Sequence, residues 1–318
     1  DAFGDERMRR VAGYQLGFWD AAGNPSPGAS GKAVRPALVL LAAEAVGGSA
    51  EAGVPAAVAV ELVHNFSLLH DDIMDRDVER RHRPTGWVAF GEGQAILAGN
   101  AMLTAAIEAL VADDPHCSTT VPVLLRTVQE LIDGQSSDLA LEGDDTVGID
   151  EVLAMEEGKT AALIAGAMAL GALAGGADGP TVELLARAGR QVGIAFQLVD
   201  DVLGIVGDSA VTGKSASSDV RAGKRSAPVV AALRSGTPEG AELAARLAAG
   251  TPESDEDVER AVALIEAAGG VRWASGRAEQ LLDEALTTLG SLPTGPTDSG
   301  EPVGDLARVA EYLVRRDR

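Results

Sequence analysis

Between Ser67 and Thr85 the chain reads SLLHDDIMDRDVERRHRPT, five carboxylates and four arginines directly after an apolar run. If 54–75 is one helix, Asp71 and Asp75 stand one turn apart on a common face, with Asp72 three residues before Asp75. Like charges at that spacing cost a bare helix about 0.3 kcal/mol each, so something should compensate them. A hard divalent cation does so, because Mg²⁺ takes one or two carboxylates and completes its shell with water and phosphate oxygens. The alternative is a solvated acidic helix end balanced by Arg76, Arg80, Arg81 and Arg83. An EF-hand loop is excluded, since the spacing lacks its glycine and its terminal bidentate glutamate.

The same device occurs again. AFQLVDDVLGIVGD, 195–208, ends a second apolar run in the adjacent pair Asp200 and Asp201, with Gln197 three and four residues earlier. Core packing gives no reason to end two apolar helices in Asp-Asp. Two such helices facing one another across a cavity would share a metal cluster.

The cations are as selective as the acids. The chain has four lysines, Lys32, Lys159, Lys214 and Lys224, and each directly follows a glycine. Composition alone gives that coincidence roughly twice in ten thousand. Elsewhere the positive charge is arginine, so these positions call for a compact ammonium on a flexible stem. Gly-Lys beside a helix end suits phosphate: the backbone approaches closely and the lysine adds a point charge. The competing reading is four helix C-caps followed by lysine. None of the four has the spacing of a Walker A loop. Two carboxylate pairs, phosphate-type cations and greasy helices together describe a diphosphate head with a hydrocarbon tail, bridged to aspartate by Mg²⁺.

The elements that must position these groups are helical. Apolar residues recur at three and four spacing over 37–47, 54–70, 94–112 and 159–174, and helical stretches continue over 181–206, 225–234, 240–248, 255–268 and 272–290. Alternating β-branched strands are absent. Breaks fall at 23–31, 143–150, 174–180 and 206–219. SLPTGPTDSGEPVG, 291–304, reads as a flexible loop before a last short helix ending YLVRRDR. The pattern predicts one all-α domain over 1–318 with ten or more helices.

Composition sets outer limits. At 318 residues and 46% hydrophobic content the chain can bury a large core. A net charge of −22 argues against nucleic acid or anionic membrane as partner, and 3% aromatic content leaves little for base stacking. The single Cys117 excludes a disulfide framework and a thiolate metal cluster. With no uninterrupted run of eighteen apolar residues and no leader pattern, the protein reads as soluble and cytoplasmic, without a stable membrane span.

In order along the chain, GKAVRP, the His64 of VELVHNFSLLHDD, DDIMD with RRHRPT, GQSSD at 134–138, EEGKT at 156–160 and FQLVDDVLGIVGD…TGK…SDVRAGKRS resemble the motifs of the trans-isoprenyl diphosphate synthases, the polyprenyl synthetase family, and within it the actinobacterial geranylgeranyl diphosphate synthases. The resemblance covers about 31–232. It implies the isoprenoid synthase fold, helices around a central cavity, usually as a homodimer. It implies that Asp71 and Asp75 bind two Mg²⁺ and Asp200 a third. Arg80, Lys159, Lys214 and Lys224 would hold the allylic diphosphate, and Lys32, Arg35, His64 and Arg81 the isopentenyl diphosphate. Thr160 and Gln197 would lie near the developing allylic cation. The implied chemistry is ionisation of the allylic diphosphate, attack by the isopentenyl double bond and loss of a proton, with no protein nucleophile. His70 and His82 flank the site without a direct role, His116 is a loop residue, and Trp87 packs.

One position departs from the family pattern. The second motif commonly reads DDxxD, and here its fifth residue is Gly204. Asp200 is the implied ligand, so activity should survive, and restoring aspartate at 204 should change it less than about tenfold. A silent partner subunit stays open on this ground. So does a class I terpene cyclase, although its Asn/Ser/Glu triad is missing and it has no use for GKxxR.

Product length follows from the tail running back along the helix of the first motif. Ser67 lies about 6 Å behind Asp71 and is turned only about 40° from it, so a small side chain there leaves the path open. Phe66 is turned about 140° away; its role as the floor is implied by the resemblance, where an aromatic five positions before an uninterrupted DDxxD typifies geranylgeranyl synthases. The expected product is geranylgeranyl diphosphate, C20; a farnesyl or longer polyprenyl product is the alternative.

Overall fold

The computed structural model describes residues 4–26, 31, 33–141, 146–207, 217–252, 254–292 and 301–315. Among them more than ten helices form and the only strands are a two-residue pair, as the apolar periodicity requires. The chain divides into two compact units. The first comprises 1–128, 166–183 and 293–303, and the second 129–165, 184–292 and 304–318.

The first unit contains α1 (Glu6–Gln15), α2 (Val34–Ala45), α3 (Ala50–Met74), α4 (Gly86–Phe90) and α5 (Glu92–Asp113). Ser49 starts α3 by accepting the Ala52 amide at 3.3 Å. Val60, Val63, Phe66, Leu69 and Ile73 then bury one stripe of it, and α3 packs along α5 and α2. Each such side chain removed from water contributes about 2 kcal/mol. By length and hydropathy α3 and α5 could each cross a membrane; 61% of the apolar window of α3 and 39% of that of α5 are buried in the fold.

The end of α3 is where the backbone departs from the ordinary. Asp75 caps the helix, Arg76 follows at φ 57°, and the Asp77 amide returns to the Asp72 carbonyl at 3.0 Å. This is a Schellman closure with arginine where glycine is usual. Strands β1 (Glu79–Arg80) and β2 (Arg83–Pro84) then pair antiparallel around Arg81 and His82, at φ 53° and 59°. A two-residue hairpin with both central φ values positive normally takes Asn-Gly. Three strained, non-glycine residues directly after the aspartates mark the segment as held for what it does.

The second unit contains the C-terminal part of α6 (Cys117–Leu141), then α7 (Ile149–Glu156), a π-turn at Glu157–Ala161 and the start of α8 (Ala162–Ala174). It continues with most of α9 (Gly179–Val206), followed by α10 (Ser218–Arg221), α11 (Ala227–Leu233), α12 (Pro238–Ala249), α13 (Asp255–Ala267), α14 (Gly270–Gly290) and α15 (Glu301–Arg315). Ile205, Val220, Val229, Leu243, Val258 and Leu264 share one core cluster. The expected loop 291–304 is shorter at its far end, because α15 begins at Glu301 with Pro302 in its first turn, where a missing amide costs nothing. Residues 293–300 lie outside the described residues.

Candidate active site

In the first unit Asp71 is half-buried and Asp75 exposed. Both sit at the negative end of the helix dipole, so they raise an unfavourable potential that a cation relieves. Asp72 does something else. It is 1% exposed and accepts from Arg80 Nε at 2.6 Å, while its Oδ2 is buried without a hydrogen-bond partner. Burial pushes its carboxyl up, opposed by the Arg80 charge. Arg80 also lies 3.6 Å from Asp77. Oxygen donors at Asp71 and Asp75 suit Mg²⁺. Among the described residues no three His, Cys, Asp or Glu side chains are grouped to hold a metal, so a cation here draws the rest of its shell from water and phosphate.

The same unit gathers cations. Arg35 Nη1 and His64 Nε2 are 3.3 Å apart, and Arg35 Nε is buried without a hydrogen-bond partner. Burial lowers Arg35 to about 10, with Glu61 opposing and Arg81 adding to the fall. His64 lies well below its usual range through burial first, then the charges of Arg35, Arg81 and Arg80, so its ring is neutral. A Cβ on Gly31 would stand 2.7 Å from Arg81 Nη2, which places that guanidinium against Gly31. Arg35, His64 and Arg81 are therefore brought together, and an anion is what their excess charge lacks. Lys32 lies outside the described residues.

In the second unit the groups form a chain of contacts. Thr160 Oγ1 donates to Gln197 Oε1 at 2.8 Å, and Gln197 Nε2 donates to Asp201 Oδ1 at 2.8 Å. The Ala227 amide donates to Asp201 Oδ2 at 3.1 Å. Lys224 Nζ stands 3.8 Å from both Asp201 Oδ1 and Asp219 Oδ2. Asp201, 2% exposed, is thus an anchor for the network, whereas Asp200 beside it is half-buried. Glu156, 3% exposed, is raised well above the usual carboxylate range by burial and then by the Asp201 charge, which keeps it protonated as a donor to Asp201. Lys159 is paired with Asp138.

The lysines correct the helix-end expectation. Gly223, at φ 67°, closes α10, and Lys224 follows it with its amide on the Asp219 carbonyl at 3.0 Å. Lys159 instead lies inside the π-turn of an unbroken helical run. There Gly158 and Gly134 pack backbone to backbone, and a Cβ on Gly134 would collide with the Lys159 amide. A π-turn re-aims side chains along a helix, and such turns concentrate at functional sites. Lys214 lies outside the described residues. Sequence reasoning passed over Asp138, Glu156, Asp201 and Asp219 as partners; their nearness to GKT and to the second Asp pair was the available signal.

His82 is exposed, 3.7 Å from Glu79. His116 lies in the turn before α6, its amide donating to Asp114 Oδ1 at 2.7 Å. Trp87 Nε1 donates to the Asp77 carbonyl at 2.7 Å, fixing the loop after α3.

A predominantly helical protein with solvent-accessible carboxylates at the end of α3 and a cationic cluster in the same unit carries groups of the kinds that a metal-bridged diphosphate requires. Residues 22–265 match the Polyprenyl synthetase family, and the chain belongs to it. It is 45% identical over 316 residues to a (2E,6E)-farnesyl diphosphate synthase of Mycobacterium tuberculosis, covering 98% of this chain and 87% of that one. It is 42% identical over 315 residues, with the same two coverages, to a geranylgeranyl diphosphate synthase of that organism. The crystal structure of a polyprenyl synthetase from Streptomyces coelicolor A3(2) superposes with a TM-score of 0.92 at 43% identity, covering 98% of this chain and 93% of that chain. The protein is a trans-prenyltransferase that condenses isopentenyl diphosphate with an allylic diphosphate.

Proposed function

We propose that the product is geranylgeranyl diphosphate, formed in the cytoplasm by a homodimer without a membrane span. The observation that carries the site assignment is the Arg35–His64–Arg81 cluster, in which a neutral histidine and a buried, incompletely bonded guanidinium await an anion. In this reading they and Lys32 bind isopentenyl diphosphate. Arg80, Lys159, Lys214 and Lys224 bind the allylic diphosphate. Asp71, Asp75 and Asp200 would hold Mg²⁺, three ions with substrate bound, which would supply charge against the departing diphosphate. Thr160 spends its proton on Gln197, which leaves its oxygen lone pairs for the allylic cation.

For the C20 length, Phe66 is buried and its ring meets His70 edge-on at 4.9 Å, a fixed aromatic on the motif helix. Exposed Ile96, Leu97 and Val111 on α5 support a second copy as partner. The test is a Mg²⁺-dependent assay with isopentenyl diphosphate and each allylic primer, with chromatography of the dephosphorylated products. C20 as the main product supports the reading. C15 refutes the length, and absence of condensation refutes the assignment.

A further inference from the structure

The turn that presents Arg81 is strained, and what holds it comes from the start of the chain. Arg81 and His82 occupy the left-handed region at φ 53° and 59°, which a residue with a β-carbon enters only under restraint. Charge adds to the strain. Burial lowers the pKa of Arg35 and His64, and the Arg81 charge lowers both further, so before an anion arrives the guanidinium groups repel one another. Arg80 is pinned by its side chain, 2.6 Å from Asp72. Among the described residues no ion pair ties the Arg81 side chain, so the backbone beneath it sets its aim.

That backbone is gripped from α1. The helix closes at Gly17, φ 80°, with the Gly17 and Phe18 amides on the Tyr14 and Gly13 carbonyls at 3.0 and 2.8 Å. Trp19 then folds back over Gly13, where a Cβ would collide with its ring, and its Nε1 donates to the Arg10 carbonyl at 2.8 Å. Two bonds cross from this segment to the residues directly after the strained turn. Tyr14 Oη donates to the Pro84 carbonyl at 2.6 Å, and Arg83 Nη2 donates to the Trp19 carbonyl at 2.9 Å. The Arg83 guanidinium also lies over the Tyr14 ring, 4.1 Å from its centroid. The ring cannot swing away, because it is buried and meets Phe90 edge-on at 5.2 Å. Tyr14 and Arg83 line one small cavity with Asp72, Arg80 and Arg81.

We propose that Tyr14 and Arg83 are positioning residues for isopentenyl diphosphate: by joining α1 to the hairpin they keep the Arg81–His82 turn left-handed, with Arg81 beside Arg35 and His64. This rests on the assignment of that cluster to isopentenyl diphosphate. Arg80 has its own anchor in Asp72, so the grip serves one diphosphate and not the other.

The test measures kcat and the KM of each substrate, with melting followed alongside. Tyr14→Phe keeps the ring and removes the bond to Pro84; it should raise KM for isopentenyl diphosphate about fivefold, with kcat and the allylic KM within about twofold of the parent. Arg83→Gln removes the second bond and the stacked charge, and should raise the same KM about tenfold with the same selectivity. His82→Gly relieves the turn at an exposed position, so in that background Tyr14→Phe should change the KM by less than about twofold. Arg81→Gln should raise it at least as much as either grip variant. Parent-like KM values in both Tyr14→Phe and Arg83→Gln overturn the proposal. So does an equal loss for both substrates, the mark of general loosening, and so does a Tyr14→Phe effect that persists undiminished beside His82→Gly. If Tyr14→Phe melts below the assay temperature, Arg83→Gln decides. A raised KM in Arg81→Gln with parent-like values in the other two removes the grip and leaves the site assignment standing. A parent-like Arg81→Gln removes the assignment, and this inference with it.

Discussion

Arg80 Nε lies 2.6 Å from Asp72 Oδ1, an ion pair that ties the end of α3 to the hairpin behind it. The acid is 1% exposed and the arginine side chain 32%, so the pair is asymmetric: Asp72 has no recourse to water if Arg80 is lost. Arg80→Ala should therefore cost about 3 kcal/mol, and Arg80→Ala/Asp72→Asn distinctly less. Burial raises the folded-state Asp72 carboxyl even with Arg80 present. Protons then bind the folded state more tightly than the unfolded one, and stability from this group falls as pH rises from the unfolded pKa through the folded one. Without Arg80 the rise is larger, so the gap in melting temperature between variant and parent should narrow as pH falls. A gap independent of pH would separate the loss from the charge of Asp72.

Asp71 and Asp75 carry the opposite expectation, a large loss of rate at little cost in stability. Both have access to solvent, so truncation leaves no buried charge behind. Asp71→Ala and Asp75→Ala should each lower kcat by about a hundredfold or more, because stabilisation of a departing charge is lost. Circular dichroism and melting should stay near the parent. Near-normal turnover in both would remove the metal assignment.

The pattern of what could be read beforehand follows from where the information resides. Helices α3, α5 and α9 were legible because their apolar stripes run at helical period over twenty residues or more. Helix α6 was not: it opens on Cys-Ser-Thr-Thr, contains Pro122 and passes through Gly134 and two serines, so local propensity argues against it, and packing supplies the stability instead. The π-turn at Glu157–Ala161 depends on two glycines far apart in sequence meeting, which no local window contains. At the site, the two Asp-Asp pairs, Asp71 and Asp72 with Asp75 beyond them and Asp200 with Asp201, announce themselves by spacing. The division of labour inside each Asp-Asp pair does not, because Asp72 and Asp201 are distinguished only by burial and by Arg80, Gln197 and Ala227.

Glu156 offers a test by titration. It is held protonated against Asp201, its folded-state pKa raised well above the usual 4.5. The fold binds that proton more tightly than the unfolded chain, so the stability contribution is fully present below about 4.5 and is lost as pH climbs through the folded value. Glu156→Gln keeps a donor to Asp201 and removes the titration. Its melting temperature relative to the parent should rise as pH is raised above 4.5. A constant difference across that range would mean that Glu156 is ionised in the fold.

The two cationic groups should separate kinetically. Arg35→Ala should raise KM for isopentenyl diphosphate about tenfold while sparing the allylic substrate. Lys159→Ala should do the reverse, since Lys159 lies on the π-turn next to Thr160 and across from Asp138. Identical effects of both variants on both substrates would erase the partition.

Product length tests the path of the tail. Ser67 is 7% exposed and its hydroxyl is turned back to the His64 carbonyl at 2.9 Å, so it presents a small, internally bonded side chain. Phe66 faces His70, whose Nε2 lies 3.1 Å from the Ile96 carbonyl on α5, with the ring directly over Gly99. The aromatic is thereby braced between α3 and α5 rather than left to swing, as a floor that defines a length must be. Phe66→Ala removes the ring and should shift the main product beyond C20. Ser67→Phe fills the path one residue nearer Asp71 and should shorten it to C15, with the first condensation little affected because the diphosphate contacts are untouched. The dephosphorylated products, separated by chromatography, decide between outcomes. Unchanged C20 from both variants would place the tail on another face of α3.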